Sequence, residues 1–529
     1  MTVPPAQSSK LQLDQFRKRE SDLTGRERLV SNVLFNWAAH FVFIVAGFIM
    51  PRMIDRRLGQ ELLGVWDFAW SLVNYFTLVQ AGVGSSVNRY VAKYRAIGDV
   101  SSLNRIVSTA FCIQTIAGMV VLGLTIGLAL ILPGLFSGQL GENVLDAQWV
   151  VFLLGASMAI EMSLGVFTGV LTGCHRWGLH GATKSGWHVV MVAGMITALV
   201  FGSGLRSLSV IILAGFTLTG ITHIIAANHV CSGLRLRLSL VDRKTTRELI
   251  LFGSKTLIPS VSNLLLNQTL NILIVAYLGP TALALYARPR SLVHHVNTLV
   301  NKMSHVLTPT TSSMQSIENL DGIRELSIKA TRYSLYFVLP IVLILMVFGS
   351  EILQVWMGPR YANSLLPAIL AVGYLGTIMQ MPAMKILGGM NAHGRAGIAQ
   401  FIASVCSLGM AVFALGSLGL GLKSVAIAAT LPLAVVNIGY LPLLICSRLR
   451  LDLGKFFSSV TLRPALHVLP FAVCLVLCRF AISTNPLTGL VLGGSMGGGI
   501  LAVIYWLYVI PDRLKSAVAS YVVTRHFSR

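Results

Sequence analysis

Charge is scarce in this sequence. Only 11% of its 529 residues are Asp, Glu, Lys or Arg, against about 25% in a typical soluble protein. Mean hydropathy is +0.74, and the apolar residues gather in runs of roughly 18 or more, each able to cross about 30 Å of hydrocarbon. A soluble globular domain is excluded, and the chain reads as a polytopic membrane protein.

Other absences narrow the field. The seven cysteines, at 112, 174, 231, 406, 446, 474 and 478, show no metal or disulfide spacing. Cys474 and Cys478 stand one helical turn apart, which reads as packing. No metal centre and no cofactor are expected. There is no phosphate-binding GKS or GKT motif, and no extramembrane segment exceeds about 30 residues, so the chain has no room for an ATPase of its own. Residues 1–28 are polar and basic without an apolar core, unlike a cleaved signal peptide. They read as a cytoplasmic tail in which Thr24 and Glu27 are spaced as a capping box. No Ser/His/Asp grouping and no paired carboxylates on one loop suggest a catalytic set, and the short outer loops count against an enzyme.

Acidic residues are rarest of all, 19 against 41 Lys and Arg, for a net charge of +22. The distribution of that charge argues against a nucleic-acid partner. With the N-terminus inside, the inner segments collect about 29 Lys and Arg and the outer ones about 6, the positive-inside bias of a membrane protein. The segment from Pro133 to Gln148 has neither and belongs outside. Both termini are then cytoplasmic.

Hydropathy predicts about 14 transmembrane helices, at roughly 29–51, 61–82, 106–132, 147–172, 187–203, 208–230, 249–278, 283–307, 332–349, 364–388, 397–416, 425–446, 464–481 and 488–510. The fold class expected is all-α integral membrane. A weak internal repeat orders the spans. Leu58–Asn74, LGQELLGVWDFAWSLVN, matches Leu278–His294, LGPTALALYARPRSLVH, with identities that include Leu58/Leu278, Gly59/Gly279, Leu63/Leu283 and Ser71/Ser291. Six spans separate the copies, so the halves share one orientation and a parallel pseudo-two-fold relates them. The expected organisation is a tail at 1–28, a six-helix bundle at 29–230 and a basic cytoplasmic linker at 231–248. A second six-helix bundle at 249–447 follows, then a cytoplasmic loop at 448–463, two extra transmembrane helices at 464–510 and a cytoplasmic tail at 511–529.

The stretch from Ala287 to Thr308, ARPRSLVHHVNTLVNKMSHVLT, is too polar to face lipid. On a helix Arg290, His294, Asn297, Asn301 and His305 fall within an arc of about 80°. Arg288, His295 and Lys302 make a second line. Ionisable residues at membrane depth are a functional hypothesis by default. The first span adds Asn36 and His40, the second Asp67 and Asn74, and the seventh Lys255, Asn263 and Asn267. Set around a water-filled cavity, these groups are cationic and rich in amide donors. Arginine offers phosphate a forked, permanently charged partner, so the expected ligand is a phosphorylated or acidic sugar. The expected substrate-binding residues are Arg290, Arg288, Lys255, Lys302, His294, Asn297, Asn301, His40, Asn36, Asn74, Asn263 and Asn267. Asp67 and Glu161 are the in-span carboxylates available for ion coupling, with helix pairing as the plainer reading of Glu161. Lys385 and Arg479 lie near span ends and read as snorkelling side chains.

The stretch from Leu29 to Lys93, with RRLGQELLGVWDFAWSLVNYF and AGVGSSVNRYVAKYR, resembles the N-terminal region of the bacterial polysaccharide-biosynthesis flippases. AYLGPTALALYARPRSLV, VFGSEILQVWMGPRYANSLLPAILA and LGGMNAHGRAG extend the resemblance over most of 29–450. These flippases belong to the multidrug, oligosaccharidyl-lipid and polysaccharide exporter superfamily. The resemblance implies two six-helix bundles in a V, and a substrate of undecaprenyl-pyrophosphate-linked glycan moved across the bacterial inner membrane by alternating access. It implies Arg288, Arg290 and Lys255 as contacts to that substrate. The implied partners are the lipid-linked glycan, membrane lipid, and a polysaccharide polymerase with other assembly proteins. The competing classes are a multidrug antiporter, which needs acidic cavity residues, and a membrane enzyme of glycan assembly, which needs a catalytic carboxylate.

Overall fold

The computed structural model describes residues 29–80, 83–254, 264–362, 364–482, 486–512 and 515–516. Among these residues the regular structure is helical, with no strand. That is the expected solution where no water is available to satisfy backbone groups. The chain is an all-α integral membrane protein. Nine stretches of the described residues are long and apolar enough to cross a membrane. One of them, Val100–Gly173, holds two helices joined by a single turn. The nine cover ten of the fourteen expected spans. The other four fall on Leu29–Leu58, on Trp177–Val200, on the polar helix Pro280–Ser304, and on the short apolar Leu265–Leu278.

The chain divides into two compact units, Met1–Ala284 and Leu285–Arg529. The first holds α1 (Leu29–Leu58), α2 (Gln60–Asn74), α3 (Val83–Ala96), α4 (Val100–Leu140), α5 (Val144–Gly173), α6 (Trp177–Val200), α7 (Leu205–Val230), α8 (Arg243–Ser254) and α9 (Leu270–Leu278). Small residues set the closest approach within it. A Cβ on Gly118 would stand 2.7 Å from the Ala159 carbonyl oxygen, and one on Gly155 would stand 2.3 Å from the Thr125 side chain, so these glycines set how closely α4 and α5 approach. Val87, Val91, Leu103, Val107, Val166, Val170 and Leu171 close the end of the unit where α3 crosses α4 and α5. Asn104 of α4 pins the following basic segment. Its side-chain amide donates to the Gly233 carbonyl at 2.9 Å, and its oxygen accepts from the Arg235 amide at 2.9 Å. The boundary falls at Ala284 because α9 packs on α2 and α4.

The two copies of the sequence repeat turn the same corner. Gly59 ends α1 at φ 94°, and Gly279 ends α9 at φ 83°. Each donates its N–H to the carbonyl four residues back, Asp55 and Val275, at 3.0 Å. Positive φ with this hydrogen bond is the C-terminal cap that glycine alone adopts without strain. Gly358 repeats it in the second unit, at φ 111° with a 2.8 Å bond to Gln354.

The second unit holds α10 (Pro280–Ser304, apart from its first residues), α11 (Leu320–Met357), α12 (Leu366–Met379), α13 (Gly394–Val412), α14 (Leu422–Ala434), α15 (Arg463–Ala481) and α16 (Pro486–Ile504). The last two helices dock on α11. The Tyr336 hydroxyl meets His467 Nδ1 at 2.6 Å, and Tyr505 donates to the Tyr336 carbonyl at 2.6 Å. Arg479, expected to snorkel, instead pairs with the buried Glu351 at 2.5 Å and lies over the Phe348 ring. An ion pair between two helices removes the need to reach an interface.

Candidate functional site

Helical spacing in the first unit brings polar and aromatic side chains from α1 to α7 to one cavity of about 910 Å³. On α2, Trp66, Trp70 and Asn74 recur every four residues and share a face. On α6, Trp177, His180, Lys184, Trp187 and His188 do the same at spacings of three and four. Helix α5 contributes Glu161 and Thr168, α7 contributes Thr219 and His223, α1 contributes Phe43, and α4 contributes Gln114. Four of the eight tryptophans of the chain are therefore in one place.

The walls are held in defined orientations. Trp187 Nε1 donates to Thr222 Oγ1 at 2.8 Å, which fixes that ring. Trp66 and Trp70 meet edge to face at 6.3 Å, and Phe43 packs on His188 at 4.1 Å. His223, 4% exposed, spans three helices: its Nε2 is 2.9 Å from Thr183 Oγ1 and its Nδ1 is 3.2 Å from Thr168 Oγ1. Thr183 also reaches the Leu179 carbonyl at 2.9 Å. The arrangement satisfying all three contacts has Thr183 donating to its own helix, His223 Nε2–H donating to Thr183, and Thr168 donating to Nδ1. His180 lies beside it with ring centroids 5.0 Å apart.

Among the described residues, the charged members of the lining are Glu161 and Lys184, paired at 3.3 Å. Their charges cancel, so the cavity is polar without being cationic. The pair is partly exposed, at 36% for Glu161 and 45% for Lys184, so its contribution to stability is small, about 0–1 kcal/mol. Two further polar atoms of the lining, Gln114 Oε1 and His180 Nδ1, are buried with no hydrogen-bond partner among the described residues.

Two of the sequence-predicted residues, Asn74 and Glu161, line this cavity. His40 is half-buried on α1 outside the lining, and Asn36 lies on α1 with its side chain outside the described residues. Asp67 is half-buried on α2, where its carbonyl accepts from Ser71 Oγ, which in turn accepts from Asn271 at 2.9 Å. Asn267 is half-buried in the turn before α9. Lys255 and Asn263 lie outside the described residues.

The other predicted residues form a separate group on α10 of the second unit. Arg288 is 5% exposed. The Arg290 guanidinium lies beside the buried hydroxyls of Tyr286 and Tyr374. About two and three turns beyond Arg290, Asn297 and Asn301 hold buried Oδ1 atoms with no partner among the described residues. His294 is exposed, and Lys302 is half-buried near the end of the helix. Pro289, between the two arginines, lacks the N–H that would bond to the Leu285 carbonyl.

The aromatic cavity escaped the sequence reading for two reasons. Its tryptophans add to hydropathy like any apolar residue. Hydropathy also places the fifth span at 187–203, whereas α6 begins at Trp177. The stretch WGLHGATKSG lies outside that expected span because it is polar, and its Trp177, His180 and Lys184 face the cavity instead of lipid. The signal that was present was the spacing of Trp177, His180, Lys184 and Trp187.

Comparison with known proteins adds a family. A family model described as "Polysaccharide biosynthesis protein" matches residues 94–366, more than half of the chain. The membrane protein EpsK of Bacillus subtilis is 21% identical over 423 residues, covering 78% of this chain and 82% of that protein. A Shigella flexneri protein provisionally named an O-antigen transporter is 21% identical over 383 residues, covering 71% and 87%. Among solved structures, the lipid II flippase MurJ in an inward closed conformation superimposes with TM-score 0.66 at 14% identity, covering 90% of this chain and 98% of that one. An inward-facing multidrug resistance MATE family transporter of the MOP superfamily gives TM-score 0.66 at 17% identity, covering 78% and 95%. At these identities the two structures establish the shared fold.

Proposed function

The chain belongs to the polysaccharide biosynthesis protein family, and from that premise we propose that it is a transporter, not an enzyme, flipping a polyprenyl-pyrophosphate-linked oligosaccharide across the bacterial inner membrane. The observation that carries this reading is the polar face of α10. Arg288 is buried and Arg290 half-buried in a membrane protein of low charge, and the Arg290 guanidinium lies beside the Tyr286 and Tyr374 hydroxyls. Charges are retained at membrane depth only where they serve a function or find a partner, and forked arginine donors suit a pyrophosphate.

In the proposed mechanism the pyrophosphate and sugars pass through hydrated protein while the polyprenyl tail stays in lipid. A charged headgroup cannot cross hydrocarbon unaided, and polar side chains lower that barrier by replacing water. Arg288, Arg290, Lys302 and Lys255 would meet the phosphates. His294, Asn297, Asn301, Asn36, His40, Asn74, Asn263 and Asn267 would supply further donors and acceptors. Asp67 and Glu161 are the proposed ion-coupling carboxylates. Opening first to one side and then to the other needs no bond to be made or broken. Both termini would be cytoplasmic, and a polysaccharide polymerase would take up the flipped unit.

A second reading has its own support. Tryptophan walls around Glu161 suit an organic cation, as in a multidrug antiporter. Lys184 weakens it by neutralising that carboxylate. A deletion strain separates the two. Accumulated lipid-linked repeat units with loss of surface polysaccharide are expected; intact polysaccharide with new drug sensitivity would overturn the flippase reading.

A further inference from the structure

We propose that the cavity of the first unit is a sugar-ring subsite, where tryptophan faces take the flat C–H faces of pyranose rings and the polar groups between them take the hydroxyls. The inference rests on the transport reading for its substrate, and goes beyond it by assigning the glycan to a place distinct from the arginines of α10.

Three ligand chemistries could fill an aromatic cavity of about 910 Å³, which is at the upper end of the roughly 300–1,000 Å³ of small-molecule sites. An anionic phosphate needs a net positive lining, and the one lysine is already paired with Glu161 at 3.3 Å. An organic cation needs net negative charge beside the aromatic faces, and the same pair removes it. A neutral amphipathic ring needs apolar faces flanked by hydrogen-bonding groups of both senses, and these are present. Trp187 is locked by Thr222, so its face is presented without loss of rotamer freedom on binding. Trp66 and Trp70 offer a face and an edge at 6.3 Å.

A second, independent observation points to a ligand with hydroxyls. Gln114 is 2% exposed, yet its Oε1 has no partner among the described residues, and His180 Nδ1 is likewise buried and unpartnered among them. Burying a polar atom without a hydrogen bond costs about 1–3 kcal/mol. Both atoms line the cavity. A hydroxyl can donate to the glutamine oxygen, and it can either donate to or accept from the imidazole nitrogen, whichever tautomer His180 adopts. Glu161 and Lys184, each partly exposed, add an acceptor and a donor that can bridge neighbouring hydroxyls while still neutralising one another.

The test uses the full-length protein in lipid nanodiscs and calorimetric titration with two probes. One is the oligosaccharide released by mild acid from the surface polysaccharide of the source strain. The other is undecaprenyl pyrophosphate without sugar. Trp177 is 40% exposed, so Trp177→Ala is expected to fold. It should weaken oligosaccharide binding by about ten-fold, as loss of one aromatic face implies, and leave undecaprenyl pyrophosphate binding unchanged. Trp187→Ala should behave alike and Trp187→Phe should restore most of the affinity. Unchanged oligosaccharide affinity in both alanine variants overturns the inference. Wild-type protein that binds undecaprenyl pyrophosphate but no oligosaccharide overturns it and leaves the transport reading standing. Tryptophan-dependent binding of tetraphenylphosphonium in place of the oligosaccharide overturns it in favour of a cation site. If a deletion strain exports polysaccharide normally while oligosaccharide binding still depends on Trp177, the sugar site stands and the transport reading falls.

Discussion

The two units handle polarity in opposite ways. In the first, the charged residues of the cavity cancel, and tryptophans make most of its distinctive surface. In the second, positive charge lies along one face and flank of α10, beside tyrosine hydroxyls and asparagine oxygens. One arrangement recognises shape and flat apolar faces; the other recognises charge. A lipid-linked glycan carries both features at opposite ends of one headgroup, which gives a physical reason for a single chain to hold both.

The most severe test of this contrast is Arg290→Ala. If α10 is the charge-reading element, removing one charge-assisted contact should weaken undecaprenyl pyrophosphate binding by about 2–3 kcal/mol, roughly 30- to 150-fold. Membrane insertion should persist, and calorimetry on the nanodisc-embedded variant checks the affinity. An affinity equal to wild type would remove Arg290 from the site and the contrast with it. Next comes Gly64→Ala. A Cβ at Gly64 would stand 1.8 Å from the Pro280 carbonyl oxygen, so α2 must shift and carry Trp66 and Trp70 with it. The expected cost is about 1–3 kcal/mol, read as a lower thermal unfolding midpoint. Midpoints that match would show that α2 gives way freely there.

Lys184→Ala sharpens the comparison from the other side. It leaves Glu161 unopposed, so the first cavity becomes an anionic aromatic site. Tetraphenylphosphonium binding should strengthen by about 1 kcal/mol, roughly five-fold, as measured by fluorescence competition. No gain would mean that charge cancellation is not what excludes cations. The smallest effect lies outside both regions. Asp99 caps α4 by accepting from the Ser102 amide at 2.9 Å, and the Ser102 contacts hold its carboxyl below the usual 3.8. A lowered value means that the stabilisation is complete above pH 3.8 and is lost as pH falls through the folded-state value. Asp99→Ala should cost about 0.5 kcal/mol at neutral pH, and acidification should narrow its gap from wild type in thermal unfolding.

Much of the fold was legible because hydrocarbon demands long apolar runs, yet the helices outgrow those runs. Hydropathy places the third span at 106–132 and the helix runs from Val100 to Leu140; it places the ninth at 332–349 and the helix runs from Leu320 to Met357. Hydropathy records the part of a helix that needs apolar side chains, and the ends continue into polar surroundings. The same physics divides the site. Arg288, Arg290, Asn297 and Asn301 stood out because charge and amides are conspicuous against an apolar background. Trp66, Trp70 and Trp187 did not, because indole is as acceptable to lipid as to a ligand and only their convergence in space distinguishes them. His180, Lys184 and His223 required pairing across α5, α6 and α7, a relation that spacing along one helix does not contain.

The glycine corner bears on how such a chain is made. At Gly59, Gly279 and Gly358 the turn closes on the carbonyl four residues behind it. Each corner thus completes itself from a handful of neighbouring residues. A pair of helices emerging from the ribosome can take its bend before any distant partner has been synthesised. The insertion machinery then receives a bend whose closing hydrogen bond is already made.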